Sequence, residues 1–211
     1  MLGIVYVVDD DASYRTAIKR LLEKTGYRVV TYASAQQLLD QRPDENSPGC
    51  ILLDVRMPGL SGPEVQSRLT EFGSTLPIVF LTGYMDITLT VKALKAGADN
   101  FFIKPVRSDE LLKALEKAIA RHETALALKG ELETLRTRLS TLTPRQRQVF
   151  EIIVRGKTNK HVARELGSTE RTIKAHRQVI MEKMKVQSLV QLVTIAERLG
   201  ILPPSVWPPE R

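Results

Sequence analysis

The sequence predicts a doubly wound α/β domain joined by a long helix to a smaller all-helical domain. Three observations predict it. Short apolar runs alternate with helical patterns five times up to about residue 121. A leucine pattern at helical spacing then runs on to Leu139. Four capped helical segments follow in residues 141–200, and the cationic excess of the chain lies with them.

Runs of this length between helical segments imply strands of a buried parallel sheet. They are expected at about Ile4–Val8, Arg28–Tyr32, Cys50–Asp54, Pro77–Thr82 and Asn100–Ile103. Helix one starts near Ala12 and stops at Gly26, which suits a left-handed terminus. Ser34-Ala35-Gln36-Gln37 reads as a capping box opening helix two. Gly62-Pro63 puts a proline in the first turn of helix three. Ile87, Val91, Leu94 and Lys95 trace helix four, which ends at Gly97. No Gly-rich nucleotide fingerprint follows strand one, and there is no P-loop.

Residues 108–140 contain no proline, so one nearly continuous helix is expected there. Gly130 is its one weak point, at about 1 kcal/mol against Ala. Leu128, Leu132, Leu135, Leu139 and Leu142 follow a 4-3-4-3 spacing, a short heptad-like stripe. The length favours a stiff connector or a dimer seam over a helix packed on its own domain. The expected organisation is therefore 1–121, a helical linker over 122–140, and 141–211.

Charge divides the chain at the same place. Residues 1–121 carry 15 Lys and Arg against 15 Asp and Glu. Residues 141–211 carry 13 against 6, which accounts for the net +7. A basic half joined to a neutral one suggests that only the former meets a polyanion. The single cysteine excludes an intramolecular disulfide and a Cys-based zinc site, and Cys50 reads as a buried small hydrophobe. Without a signal-peptide pattern or an apolar stretch of membrane length, a soluble cytosolic protein is expected.

Parallel sheets bind ligands beyond the carboxyl ends of their strands. Strand one ends in Asp9 and Asp10, strand three in Asp54, strand four in Thr82, strand five in Lys104. Three carboxylates cannot converge cheaply without a counter-charge. A hard cation such as Mg²⁺ resolves this, because it takes carboxylate and phosphate oxygens. The first half thus reads as a Mg²⁺-dependent phosphate site.

Asp9-Asp10, Asp54 followed by Met57-Pro58-Gly59, Thr82-Gly83 and Lys104-Pro105 resemble the receiver domain of two-component response regulators, a flavodoxin-like fold. The resemblance implies that Asp54 is the phosphoacceptor and that a sensor histidine kinase is the donor. It implies that Asp10, Asp54 and the backbone carbonyl of Arg56 ligate Mg²⁺ directly, with Asp9 acting largely through a bound water. Lys104 would pair with a phosphoryl oxygen, and Thr82 and Phe101 would form a hydroxyl and aromatic switch pair. The Lys104-Pro105 bond is expected to be cis, as in other functional turns. Asp11 is an additional acid read as peripheral. Tyr84 and Arg56, two residues beyond Thr82 and Asp54, would flank the route of an attacking water.

In the basic half, Thr143-Pro144-Arg145-Gln146 combines a capping box with a first-turn proline. Thr158 and Thr169 cap the next two helices, and Ser188-Leu189-Val190-Gln191 is a further box. The short Gly167-Ser168-Thr169 connection fits a helix-turn-helix whose second helix enters the DNA major groove. That helix has an apolar face of Ile173, Ile180, Met181 and Met184, read as core. Its other face carries Arg171, Lys174, His176, Arg177 and Gln178. His176 lacks metal-ligand partners and reads as a phosphate contact or surface residue. Leu142-Thr143-Pro144-Arg145, Lys157-Thr158-Asn159-Lys160 and Arg171-Thr172-Ile173-Lys174-Ala175-His176 resemble the LuxR-type helix-turn-helix. The resemblance implies that Lys174, Ala175 and Gln178 face base edges, and that Arg171, Thr172 and Arg177 face phosphates. It implies a dimer contact on the last helix. Gln146 and His161 stand where that family often has glutamates, so Thr158 loses its usual box partner.

Together the halves resemble a NarL/FixJ-type response regulator, and the connector and Tyr84-Met85 resemble those of regulators of styrene catabolism. The resemblance implies dimerisation on phosphorylation, a shift in the face of helix four, strand five and the long helix, binding to a two-fold site in double-stranded DNA, and activation with RNA polymerase. Two other classes compete. A Mg²⁺-dependent aspartyl-phosphate phosphatase of the haloacid-dehalogenase type needs a second Asp two residues after the nucleophile, where this chain has Arg56. A DNA binder gated by a small molecule needs an apolar cavity, which the strand-end acids argue against. The chain is therefore not expected to be an enzyme.

Overall fold

A computed structural model describes residues 2–83 and 97–203. The expected helix four, with Tyr84 and Met85, and the tail with Trp207 lie outside the described residues. By contacts the chain divides into two units, Met1–Ala127 and Leu128–Arg211. No helix among the described residues is long and apolar enough to cross a membrane.

The first unit is a five-stranded parallel sheet in the order β2-β1-β3-β4-β5. Its strands are β1 (Ile4–Val8), β2 (Arg28–Tyr32), β3 (Gly49–Asp54), β4 (Ile78–Thr82) and β5 (Asn100–Ile103). The central strands are largely apolar up to their carboxyl ends because both faces are covered. Ile4, Tyr6, Val8, Ile51, Leu53, Ile78 and Phe80 face the helices α2 (Ala35–Gln41) and α3 (Gly62–Glu71). Val5, Val7, Cys50, Leu52, Val79 and Leu81 face α1 (Ala12–Lys24) and the start of α4 (Ser108–Ser140), through Ile18, Leu22, Leu111, Leu115 and Ile119. Cys50 is buried there, as its apolar run implies.

Helix α4 is continuous over 33 residues, as the absence of proline implies. The leucine stripe is not a free seam, however. Leu135, Leu139 and Leu142 are buried among Val149, Phe150, Ile153, Ile180 and Met184 of the second unit, while Leu128 is 52% exposed. Helical spacing reveals that a stripe exists, but not which surface it meets. From Leu135 onward α4 belongs to the core of the second unit and not to that of the first.

The second unit continues with α5 (Pro144–Ile153), α6 (Asn159–Glu165), α7 (Glu170–Met184) and α8 (Leu189–Arg198). Thr143 and Gln146 close the expected box, with Thr143 N–H donating to Gln146 Oε1 at 3.1 Å. Gln146 Oε1 also accepts from Lys183 Nζ at 2.9 Å, tying α7 to the start of α5. Thr158 caps α6 through the His161 N–H, with no side-chain reply from His161, as its replacement of a glutamate implies. At Ser34 and Ser188 the expected boxes are half formed. Gln37 and Gln191 accept instead from the backbone of Ala33 and Gln187, one residue earlier than a box requires. The methionine face is core as expected: Met184 is buried and Met181 packs against the same cluster.

One long-range clasp escapes sequence reasoning. His122 is buried, and its Nδ1 accepts from the Gly49 N–H at 3.1 Å. The neutral ring therefore carries its proton on Nε2, which lies 3.3 Å from Thr75 Oγ1. The clasp ties α4 to the start of β3. Burial holds the His122 pKa below its ordinary value, against the pull of Glu45. A depressed histidine contributes stability above its unfolded pKa and loses it as pH falls towards the folded one. Denaturant midpoints are therefore expected to fall below about pH 6.5 more steeply in the native chain than in His122→Gln. Equal slopes would show that this histidine does not govern acid stability.

Candidate functional site

The carboxyl ends of β1, β3, β4 and β5 bring the predicted groups together. Asp9 is 1% exposed, Asp54 7% and Thr82 1%, whereas Asp10 is open to solvent. One carboxylate oxygen from each of Asp9, Asp10 and Asp54 lies within 4.8 Å of the others. Lys104 Nζ donates to Asp9 Oδ2 at 2.6 Å and to Asp54 Oδ2 at 2.7 Å. The Lys104-Pro105 bond is cis, and the Lys104 N–H donates to the Thr82 carbonyl at 2.7 Å.

Each group is held by its own element. Asp54 ends a fully buried strand, and its Oδ1 accepts from the Arg56 N–H at 3.2 Å. Asp9 Oδ1 accepts from the Asp11 N–H at 3.0 Å. Gly62 lets α3 approach closely, because a Cβ there would stand 2.8 Å from the Asp54 carbonyl oxygen. Phe101 is half-buried, with its ring tilted against Phe80 at 6.2 Å between centroids.

Three neighbours were not legible as site residues. Asp11 caps α1, accepting from the Ser13 and Tyr14 N–H groups. Arg15 Nη1 donates to the Asp9 carbonyl at 2.5 Å. The Tyr14 ring faces Lys104 Nζ, 4.3 Å from its centroid. An Asp directly before the first helical residue could have flagged the cap; the other two contacts have no local signature.

The electrostatics suit a bound cation. Burial raises the Asp9 carboxyl above its usual range, despite Lys104. Burial alone would lower Lys104, but its hydrogen bonds to Asp54 and Asp9 prevail and hold its pKa above the ordinary value. One ammonium against three carboxylates leaves excess negative charge. The donors are all hard oxygens, with no imidazole or thiolate in the cluster. Such a set suits Mg²⁺ and disfavours zinc.

On α7, Arg171, Thr172, Lys174, Ala175 and Gln178 are exposed, and His176 and Arg177 are half-buried. Ile173 and Ile180 turn inward, so the polar residues form the outer face. Thr169 caps the helix through the Thr172 N–H. Arg177 Nη1 donates to Asn159 Oδ1 at 3.0 Å, linking α7 to the start of α6. On α8, Val190 is the most exposed large hydrophobic residue among those described, at 75%.

Residues 5–116 match the family model of the response regulator receiver domain. Residues 140–196 match that of bacterial regulatory proteins of the luxR family. Nodulation protein W of Bradyrhizobium diazoefficiens is 41% identical over 200 residues, which is 94% of this chain and 87% of that protein. Transcriptional regulatory protein FixJ of the same organism is 40% identical over 200 residues, 95% of this chain and 97% of that protein. The solved structure of the response regulator StyR has 40% identity and a TM-score of 0.84, covering 92% of this chain and 98% of that one. Five parallel strands with acids and a lysine at one end, followed by a helix-turn-helix with a cationic outer face, agree with both matches: the chain belongs to the response regulators that join a receiver domain to a LuxR-type DNA-binding domain.

Proposed function

We propose that a sensor histidine kinase phosphorylates this chain on Asp54, and that the phosphorylated protein dimerises and activates transcription from a two-fold DNA site with RNA polymerase. Membership of the family already implies a histidine kinase as partner and DNA as ligand, and it marks the chain as a transcriptional regulator and not a conventional enzyme. The observation that carries the residue assignment is Lys104 bridging Asp9 and Asp54 beside Asp10.

Receiver domains generally bind Mg²⁺ at this acidic pocket. Asp10, Asp54 and the Arg56 carbonyl would hold it here, with Asp9 through water. The ion would neutralise phosphoryl charge so that a carboxylate can attack phosphorus. Lys104 pairs with a phosphoryl oxygen and supplies the remaining positive charge. The new group brings about −1.5 to −2 charge and three acceptor oxygens. The Thr82 hydroxyl donates to one of them. Its movement opens space for Phe101, which has no hydroxyl and so responds through packing alone. In the second unit, Lys174, Ala175 and Gln178 read base edges, while Arg171, Thr172, His176 and Arg177 contact phosphates.

Sedimentation velocity with acetyl phosphate and Mg²⁺ tests the sequence of events. A monomer should become a dimer, with a matching gain in affinity for a two-fold site. A chain that is labelled but stays monomeric would overturn the dimerisation step. The expected catabolic operon is identified by sequencing DNA retained by the phosphorylated protein.

A further inference from the structure

We propose that Tyr14 is a positioning residue for phosphoryl transfer, its ring face holding the Lys104 ammonium in line with the Asp54 carboxylate. The proposal rests on the assignment of Asp54 and Lys104 above.

An ammonium group has three N–H donors. Two point at Asp9 Oδ2 and Asp54 Oδ2, at 2.6 and 2.7 Å. The Tyr14 ring covers a further side, with its centroid 4.3 Å from Nζ. That distance is well inside the range of about 6 Å for attraction between a cation and a ring face. The ring itself is held firmly. The Tyr14 N–H is capped by Asp11 Oδ1 at 3.2 Å, its neighbour Arg15 is fastened to the Asp9 carbonyl, and the side chain packs against the core on the α1 face of the sheet. The first turn of α1 thus fixes both the end of β1 and the cation at the end of β5.

Transfer makes a demand on this arrangement. An Asp54 oxygen forms a bond to phosphorus, the bond from phosphorus to the donor's leaving group breaks, and the leaving group keeps the electron pair. Lys104 has to exchange an Asp54 oxygen for a phosphoryl oxygen during this step. Asp9 and the Tyr14 ring restrain the ammonium on two sides while the third partner changes. The ring also shields that side from water, which would otherwise compete for the third donor. A tyrosine acting only as core filler is replaced equally well by an apolar side chain of similar size. One acting through its π-face is replaced only by another aromatic.

The full-length chain provides the test, with acetyl phosphate as donor. Initial phosphorylation rates by intact mass, and Mg²⁺ affinity by calorimetry, are compared for Tyr14→Phe, Tyr14→Leu, Tyr14→Met, Lys104→Met and Tyr14→Leu/Lys104→Met. Tyr14→Leu and Tyr14→Met should each react about three- to fivefold more slowly, with Mg²⁺ affinity unchanged. Tyr14→Phe should keep the native rate, and Tyr14→Leu should add nothing to Lys104→Met. Native rates in both apolar variants, an equal loss in Tyr14→Phe, or a full further loss on Lys104→Met would each overturn the proposal. A native rate in Lys104→Met would overturn the site assignment beneath it. Thermal melting identifies any variant that fails to fold, and the two apolar replacements make such a failure separable from lost positioning.

Discussion

Asp54→Asn is expected to abolish phosphorylation. Incubated with acetyl phosphate and Mg²⁺, the native chain should gain the mass of one phosphoryl group and the variant none. The amide is nearly isosteric with the carboxylate but lacks the anionic oxygen that attacks phosphorus. Its single carbonyl oxygen can keep only one of the two native donors, the Arg56 N–H on Oδ1 or Lys104 Nζ on Oδ2, but Lys104 remains held by Asp9, so the fold should survive. Neighbouring acids are poor substitutes. Asp9 is buried, and its two oxygens are engaged by the Asp11 N–H and by Lys104. Asp10 is exposed and lies outside the Lys104 bridge. Undiminished labelling of Asp54→Asn would overturn the assignment, and labelling shifted to Asp9 or Asp10 on peptide mapping would show which acid replaces it.

The second large effect concerns DNA. Lys174→Ala should cost about 1–3 kcal/mol in binding and relax the preference at one operator position. The side chain is exposed on the outer face of α7, one residue after the buried Ile173. Removing it should leave the helix intact, because the cap at Thr169 and the core contacts of Ile173, Ile180 and Met184 remain. Arg177→Ala should instead weaken all sequences alike and lower the slope of log affinity against log salt by about one. Arg177 is bound to Asn159 at the start of α6, so its contact lies towards the edge of the motif and not on its exposed crest. Reversed outcomes, with Arg177→Ala changing sequence preference and Lys174→Ala changing only the salt slope, would mean that α7 meets the groove on a different face.

Much of this was legible locally. The strand ends Asp9, Asp54, Thr82 and Lys104 could be read because a buried parallel strand is a continuous apolar run that stops where polar chemistry begins. The helix starts at Thr143, Thr158 and Thr169 could be read because an N-cap satisfies donors only two or three residues away. Contacts that join distant segments left no such trace. His122 and Gly49 are 73 residues apart, and Tyr14 meets Lys104 only because β1 and β5 end on the same side of the sheet. The leucines of α4 show the same limit. Their period is set by the helix, and the partner of Leu135 and Leu139 is set by tertiary packing.

The sharing of α4 between two cores has a practical corollary for dissection of the protein. The usual place to cut a two-unit chain is an exposed, flexible linker crossed by few contacts. Here the boundary falls between Ala127 and Leu128, inside a helix and not in a loop. A fragment beginning at residue 141 leaves out Leu135 and Leu139, and with them the apolar cover over Val149, Phe150 and Ile153. It also discards Glu131, whose carboxylate grips the Arg198 guanidinium through two hydrogen bonds and so braces α8. An autonomous DNA-binding piece therefore has to begin some way upstream of the recognised motif, with a few turns of a helix that by sequence alone reads as mere connector.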